Sequence, residues 1–271
     1  WRLADSSEGA LRRARALLRQ DLDDVEETLA DSQACAKIAF CGPVTAMTLL
    51  HLPRGEVVLA DHGAVREVVQ SMASGLAELV DKLHRRMPQV EWTLQLDEPA
   101  LPAVLAGRIP TQSGLHTLAP VSIHEARRSW QILTRALDGI AVALHCCAPG
   151  VPLEELGTAI DPVFLDLTAA LATGSGTGMD TVAGRLEAGR QVGLGVIATD
   201  VPDVVVPADR IITTVVQLTR RLGIDPALVA DHGLLTPACG LAGWSVPAAR
   251  EQMRQLTQAA HLVDEQLGCG K

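Results

Sequence analysis

The segment "ALHCCAPG" (143–150) sets two of the chain's six cysteines side by side, directly after a histidine. Side chains alternate faces along a strand, so His145 and Cys147 point one way and Cys146 the other. An imidazole and a thiolate on one face are two ligands of the kind that Zn2+, a borderline-soft ion, accepts. The same alternation puts Phe164, Asp166 and Thr168 on one face of "VFLDLT" (163–168), and Gln95 with Asp97 on one face of "WTLQLDEP" (92–99). Cys239, in "GLLTPACG" (233–240), offers a further thiol. One His, two Cys and a carboxylate make a tetrahedral N/S/O set suited to zinc. Two plainer readings stand beside it. A lone Cys on a buried strand is more often a small core residue than a ligand. A disulfide between Cys146 and Cys147 would need a distorted backbone, because neighbours on a strand point apart.

The elements that must position these residues are short apolar, β-branched runs: 37–40, 92–99, 140–147, 163–168, 191–199 and 233–240. Between them lie segments with apolar residues at helical spacing, such as 62–86 and 121–139, and this alternation predicts a parallel α/β fold. Polar or reactive residues recur at the strand ends: Gly42-Pro43, Asp97-Glu98-Pro99, His145-Cys146-Cys147, Asp166 and Cys239-Gly240. Chemistry gathered from the C-terminal ends of several strands is the habit of a (β/α)8 TIM barrel, whereas a doubly wound sheet concentrates it at one switch point. The chain shows about six strand-helix units and opens on a helix over 9–30. The expectation is a single barrel domain over 1–271 that lacks its first two strand-helix units.

A hydrophobic content of 48% is enough for one sizeable core. The net charge of −9 argues against a nucleic-acid surface, which needs a concentrated positive face. No apolar run reaches membrane-span length, and the opening "WRLADSSEGALRRARALL" is too charged for a secretory signal. A soluble, cytoplasmic protein with small-molecule partners is expected, its cysteines too few for a disulfide framework. The Gly-rich stretch 173–189 lacks the Lys-Ser/Thr of a P-loop, and predicts a strand-to-helix loop with Asp180 as the helix N-cap.

The sequence resembles the C-terminal catalytic barrel of the cobalamin-independent methionine synthase family. The similarity runs in order through "GPVTAMTLL" (42–50), "LQLDEPAL" (94–101), "HCC" (145–147), "GLGVIATD" (193–200) and "LLTPACGLAGWSVPAAREQM" (234–253). By that resemblance the family's zinc ligands fall on His145, Cys147, Asp166 and Cys239. The sixth-strand ligand is usually Glu, so Asp166 is a shorter arm. Asp97 matches the carboxylate that holds the homocysteine amino group, with Glu98 beside it as a second substrate-binding candidate. The implied activity is zinc-dependent transfer of a methyl group to the thiol of homocysteine, giving methionine. The donor would be methyltetrahydrofolate or a methyl-corrinoid carried by a protein partner. Zinc would lower the thiol pKa, and the sulfur would attack the methyl group in line, with Asp97 clamping the amino-acid end.

Some positions depart from the family. Leu49 stands where folate-using members carry a Trp that stacks on the pterin. The Gly-Ser segment and the Glu of the family's first two strands have no counterpart. Competing readings are a corrinoid-linked methyltransferase acting on another thiol, a catalytically idle barrel with a structural metal, and thiols that merely pack. Trp244 is expected to pack, and Cys35, Cys41 and Cys269 to carry no chemistry.

Overall fold

The computed structural model describes residues 2–3, 8–30, 32–137, 139–156, 160–168 and 178–268. Cys269 lies outside them. The chain divides into two compact units, Trp1–Ala143 and Leu144–Lys271.

In the first unit, α1 (Glu8–Leu29) leads into β1 (Cys35–Cys41), followed by α2 (Pro43–Leu49), α3 (His62–Arg86), β2 (Glu91–Asp97), α4 (Leu101–Leu105) and α5 (Ile123–Ala136). β1 and β2 are parallel, in register from Cys35 opposite Glu91 to Cys41 opposite Asp97. The period of two sorts β1 cleanly: Ala36, Ile38 and Phe40 pack on a helix-lined core, and Cys35, Lys37, Ala39 and Cys41 take the opposite, more open face. That core is built from Leu22 of α1, Leu79 and Leu83 of α3, and Met87, Val90 and Trp92. The 3–4 spacing of Leu76, Leu79, Val80 and Leu83 gives α3 its buried stripe. Asp61 caps α3 by accepting from the Ala64 amide at 2.9 Å, and Arg86 in its last turn pairs with Asp23 and Glu26 of α1.

The unit boundary falls inside β3 (Ala141–Cys146). The second unit continues with β4 (Val163–Asp166), α6 (Met179–Glu187), β5 (Val192–Ile197), α7 (Ala208–Leu222), α8 (Pro226–His232), β6 (Gly233–Pro237) and α9 (Val246–Leu267). β3 pairs with β4, β4 with β5 and β5 with β6, all parallel. β5 is buried at every position, as a central strand of a parallel sheet must be when both its faces are covered.

Parallel strands alternating with helices make this an α/β fold consistent with a TIM barrel. The described residues contain six strands, at the six places the sequence predicts, against the eight that close such a barrel. One sequence expectation is corrected. The N-cap of α6 is Gly178, not Asp180: Gly178 takes a left-handed φ of 108°, which turns the chain into the helix two residues earlier. Asp180 sits in the first turn, where its charge still favours the helix dipole. Of the predicted 173–189 loop, residues 173–177 lie outside the described residues. Among the described residues no helix is long and apolar enough to cross a membrane.

Candidate metal centre

The second unit's register determines which side chains share a face. His145 lies opposite Phe164, and Phe164 opposite Gly193; two residues on, Asp166 lies opposite Gly195, and Gly195 opposite Thr236. Residues at matched register positions point to the same side of a sheet, so His145 shares its face with Phe164 and, past the end of β3, Cys147 follows on that side. Cys146 points the other way and is 1% exposed.

Cys239 reaches this face through a backbone device that involves Gly195. The β5–β6 register shifts between Gly195 and Ile197, so that Pro237 pairs with Ile197 and the Ala238 amide donates to the Ile197 carbonyl at 2.8 Å. A Cβ on Gly195 would lie 2.3 Å from the Leu165 carbonyl oxygen and 2.9 Å from the Ala238 Cα. Only a residue without a side chain lets the chain after β6 pass this close to β5. Gly193 is equally bare, because the Phe164 ring lies over it: a Cβ there would sit 2.0 Å from a ring carbon.

The result is a convergence of three residues that could serve as ligands. One ligand atom each from His145, Cys147 and Cys239 lies within 4.8 Å of the other two. In a tetrahedral site with Zn–S near 2.3 Å, ligand atoms sit about 3.5–3.8 Å apart, so modest side-chain rotation closes the set around an ion. The donor set, one imidazole and two thiols, fits Zn2+. Cys147 is half-buried and Cys239 exposed, so the group opens to solvent on one side. Burial pushes the Cys147 thiol up to about 11, and the neighbouring Cys239 and Asp166 push in the same direction. A second negative charge is therefore disfavoured here unless a cation offsets it.

Asp166 is near enough to bear on Cys147 but is not one of the three converging residues. Its Oδ1 accepts from the Thr168 amide at 2.8 Å and the Thr168 hydroxyl at 2.6 Å. Trp244, expected to pack, is buried.

Asp97 and Glu98 belong to the first unit. Asp97 ends β2 half-buried, its Oδ1 accepting from Gln95 Nε2 at 2.7 Å, and the Gln95 carbonyl in turn accepts from Lys37. Glu98 is 0% exposed. Its carboxylate accepts from the Val44 amide at 3.0 Å, the Thr45 amide at 2.7 Å and the Trp130 indole at 2.9 Å. It thus satisfies the N-terminal amides of α2, and a substrate contact would require it to give up these donors. Gly42 makes the approach possible, since a Cβ there would meet the carboxylate at 2.3 Å. Sequence reasoning placed Thr168 on the face of Asp166 without giving it a role, and missed Gly193 and Gly195; the two glycines inside an apolar strand were the available signal.

Replacing Gly195 by alanine is expected to destabilise the second unit by about 1–3 kcal/mol through overpacking. It is also expected to displace Cys239, so that a cobalt(II)-substituted sample loses thiolate-to-metal absorption out of proportion to its loss of stability. Unchanged absorption would show that Cys239 does not depend on this close approach.

Parallel strands alternating with helices, and a His/Cys/Cys group at the strand ends that could hold a metal, define an α/β protein with a candidate metal site. The model of the cobalamin-independent synthase catalytic domain matches residues 22–262, and the chain belongs to the cobalamin-independent methionine synthase catalytic-domain family. A search of curated proteins finds no match.

Proposed function

We propose that this chain transfers a methyl group to the thiol of homocysteine, forming methionine, with Zn2+ held by His145, Cys147 and Cys239. The convergence of these three side chains within 4.8 Å, in a chain of the methionine synthase family, carries the reading. When bound, Zn2+ supplies Lewis acidity that keeps a thiol ionised at neutral pH. Three protein ligands with a solvent-facing side leave room for a substrate, the pattern of catalytic zinc rather than of a closed structural site. That observation favours catalysis over an idle metal-binding barrel.

The residues divide the remaining work. Asp166, whose carboxylate Thr168 orients, is the candidate to occupy the fourth position until substrate displaces it. Asp97, steadied by Gln95, is the candidate to hold the homocysteine amino group. Glu98 serves by fixing α2 against the end of β2, as its three internal donors suggest. The family's description as cobalamin-independent favours a methylfolate over a methyl-corrinoid donor. Leu49 is 56% exposed on α2 and offers an apolar surface without an aromatic face for a pterin.

Metal analysis with zinc-edge X-ray absorption, before and after homocysteine is added, tests the reading. One zinc per chain that gains a sulfur neighbour is the expected result. Zinc that ignores homocysteine would point to another acceptor or a structural role, and a chain that takes up no zinc would return the thiols to packing.

A further inference from the structure

Within the first unit a cleft of about 330 Å³ opens between the N-terminal halves of α3 and α5. That size lies at the lower end of the roughly 300–1,000 Å³ typical of small-molecule sites. Its floor is apolar: Val44 and Met47 of α2, Val69 of α3, Val104 of α4 and Ala126 of α5 are each at most 3% exposed. The rim is basic. His62, Arg66 and Arg128 line it, and Glu125 is the one acid among the lining residues.

That acid is held ionised in a local hydrogen-bonded motif, and offsets one of the two guanidinium charges. Glu125 Oε2 accepts from the Ser122 amide at 3.0 Å and the Ser122 hydroxyl at 2.9 Å, closing the capping box of α5. These hydrogen bonds hold the Glu125 carboxyl below the usual carboxylate range. Arg66 and Arg128 form no ion pair among the described residues. A positive rim in a chain of net charge −9 is a local feature, not a background of basic residues.

We propose that this cleft binds a small amphiphilic carboxylate, its hydrocarbon body on the Val/Met floor and its anionic head at the Arg66/Arg128 rim. The apolar floor removes hydrocarbon from water, while the two guanidiniums, which outnumber the one carboxylate of the rim, select the sign of the head group. An ammonium head of the same chain length meets like charge there, and a neutral head gains nothing from it.

The test uses three probes of equal chain length, octanoate, octanol and octylammonium, titrated at pH 7 into protein labelled with 13C at the methionine methyls. The Met47 signal is assigned with Met47→Leu. Octanoate is expected to shift the Met47 methyl saturably, octanol to bind about tenfold more weakly, and octylammonium to leave the signal in place. The exposed double change Arg66→Glu with Arg128→Glu is expected to keep the fold and reverse the preference from octanoate to octylammonium. Val65→Trp, which fills the mouth, is expected to abolish binding of all three. Equal binding of the three probes, octanoate binding that survives the charge reversal unchanged, or a Met47 methyl that never moves would each overturn the proposal.

Discussion

Cys147→Ala and Cys239→Ala are each expected to abolish the stoichiometric zinc binding at neutral pH proposed for this chain. Removing one of three converging donors reduces the set to two, and the loss of affinity exceeds the roughly 10–100-fold that loss of an outer contact to a ligand costs. Cys146→Ala is the matched control. That residue is 1% exposed on the opposite face of β3, so its replacement keeps zinc and costs only about 1 kcal/mol of packing. The pH dependence has a definite sign. With its thiol pushed up to about 11, Cys147 is protonated at neutral pH, and a metal must displace that proton. Apparent affinity therefore rises with pH, about tenfold per unit for each proton released. Calorimetric zinc titrations at several pH values measure both effects. Full zinc retention in Cys147→Ala and Cys239→Ala, or an affinity independent of pH, would remove the proposed centre.

Glu98→Ala is expected to be the most destabilising single change in the first unit. It leaves two amides of α2 and the Trp130 indole without an acceptor inside the protein, and it opens a void beside Gly42. Each of the three stranded buried donors costs about 1–3 kcal/mol, so a loss of at least about 3 kcal/mol is expected, a large part of the 5–15 kcal/mol that holds a typical domain folded. Glu98→Gln separates charge from hydrogen bonding. Burial raises the Glu98 carboxyl above its ordinary range, outweighing the hydrogen bonds from Trp130, Thr45 and Val44 that act to lower it. The folded state therefore holds this proton more tightly than the unfolded chain. The stability tied to that proton is full at low pH and is lost as pH rises through the folded value. The stability of wild type relative to Glu98→Gln should fall as pH rises from about 4.5, the ordinary carboxylate value. Urea midpoints across that range provide the check, and a wild type that gains stability relative to Glu98→Gln as pH rises would mean the ionised form is the one the fold prefers.

His145 and Cys147 were legible because a strand's period of two is a local property, visible in three consecutive residues. Cys239 was legible as a reactive residue at a strand end. What brings it to the others was not, because the approach of Ala238 to Gly195 joins segments that no local pattern connects. Glu98 illustrates the same limit from the other side. Beside Asp97 at the end of β2 it resembles a residue facing solvent or substrate, yet its surroundings come from α2 and from Trp130 on α5, neither of which neighbours it in the chain. Asp180 was misplaced by two residues because Asp is the commoner N-cap, and a left-handed glycine pre-empted it. The Asp166–Thr168 pairing turns on side-chain rotation, which the shared strand face allows but does not dictate.

The candidate ligands come from the two ends of the second unit's strand series: His145 and Cys147 from the end of β3, Cys239 from just past β6. Any ion gripping all three ties residues 145 and 239 together and so closes a long loop that the unfolded chain would otherwise leave open. The entropy surrendered grows only slowly with loop length, as about 1.5 RT times the logarithm of the number of residues enclosed. β5, which contributes no ligand, and β4, whose Asp166 stands beside the set, lie between the tied points and share the restraint. Resistance to denaturant then becomes a function of metal supply, rising by about 1.4 kcal/mol for every tenfold excess of free ion over its dissociation constant. A centre placed for chemistry would, by its position alone, also set how much metal this unit must hold to stay folded.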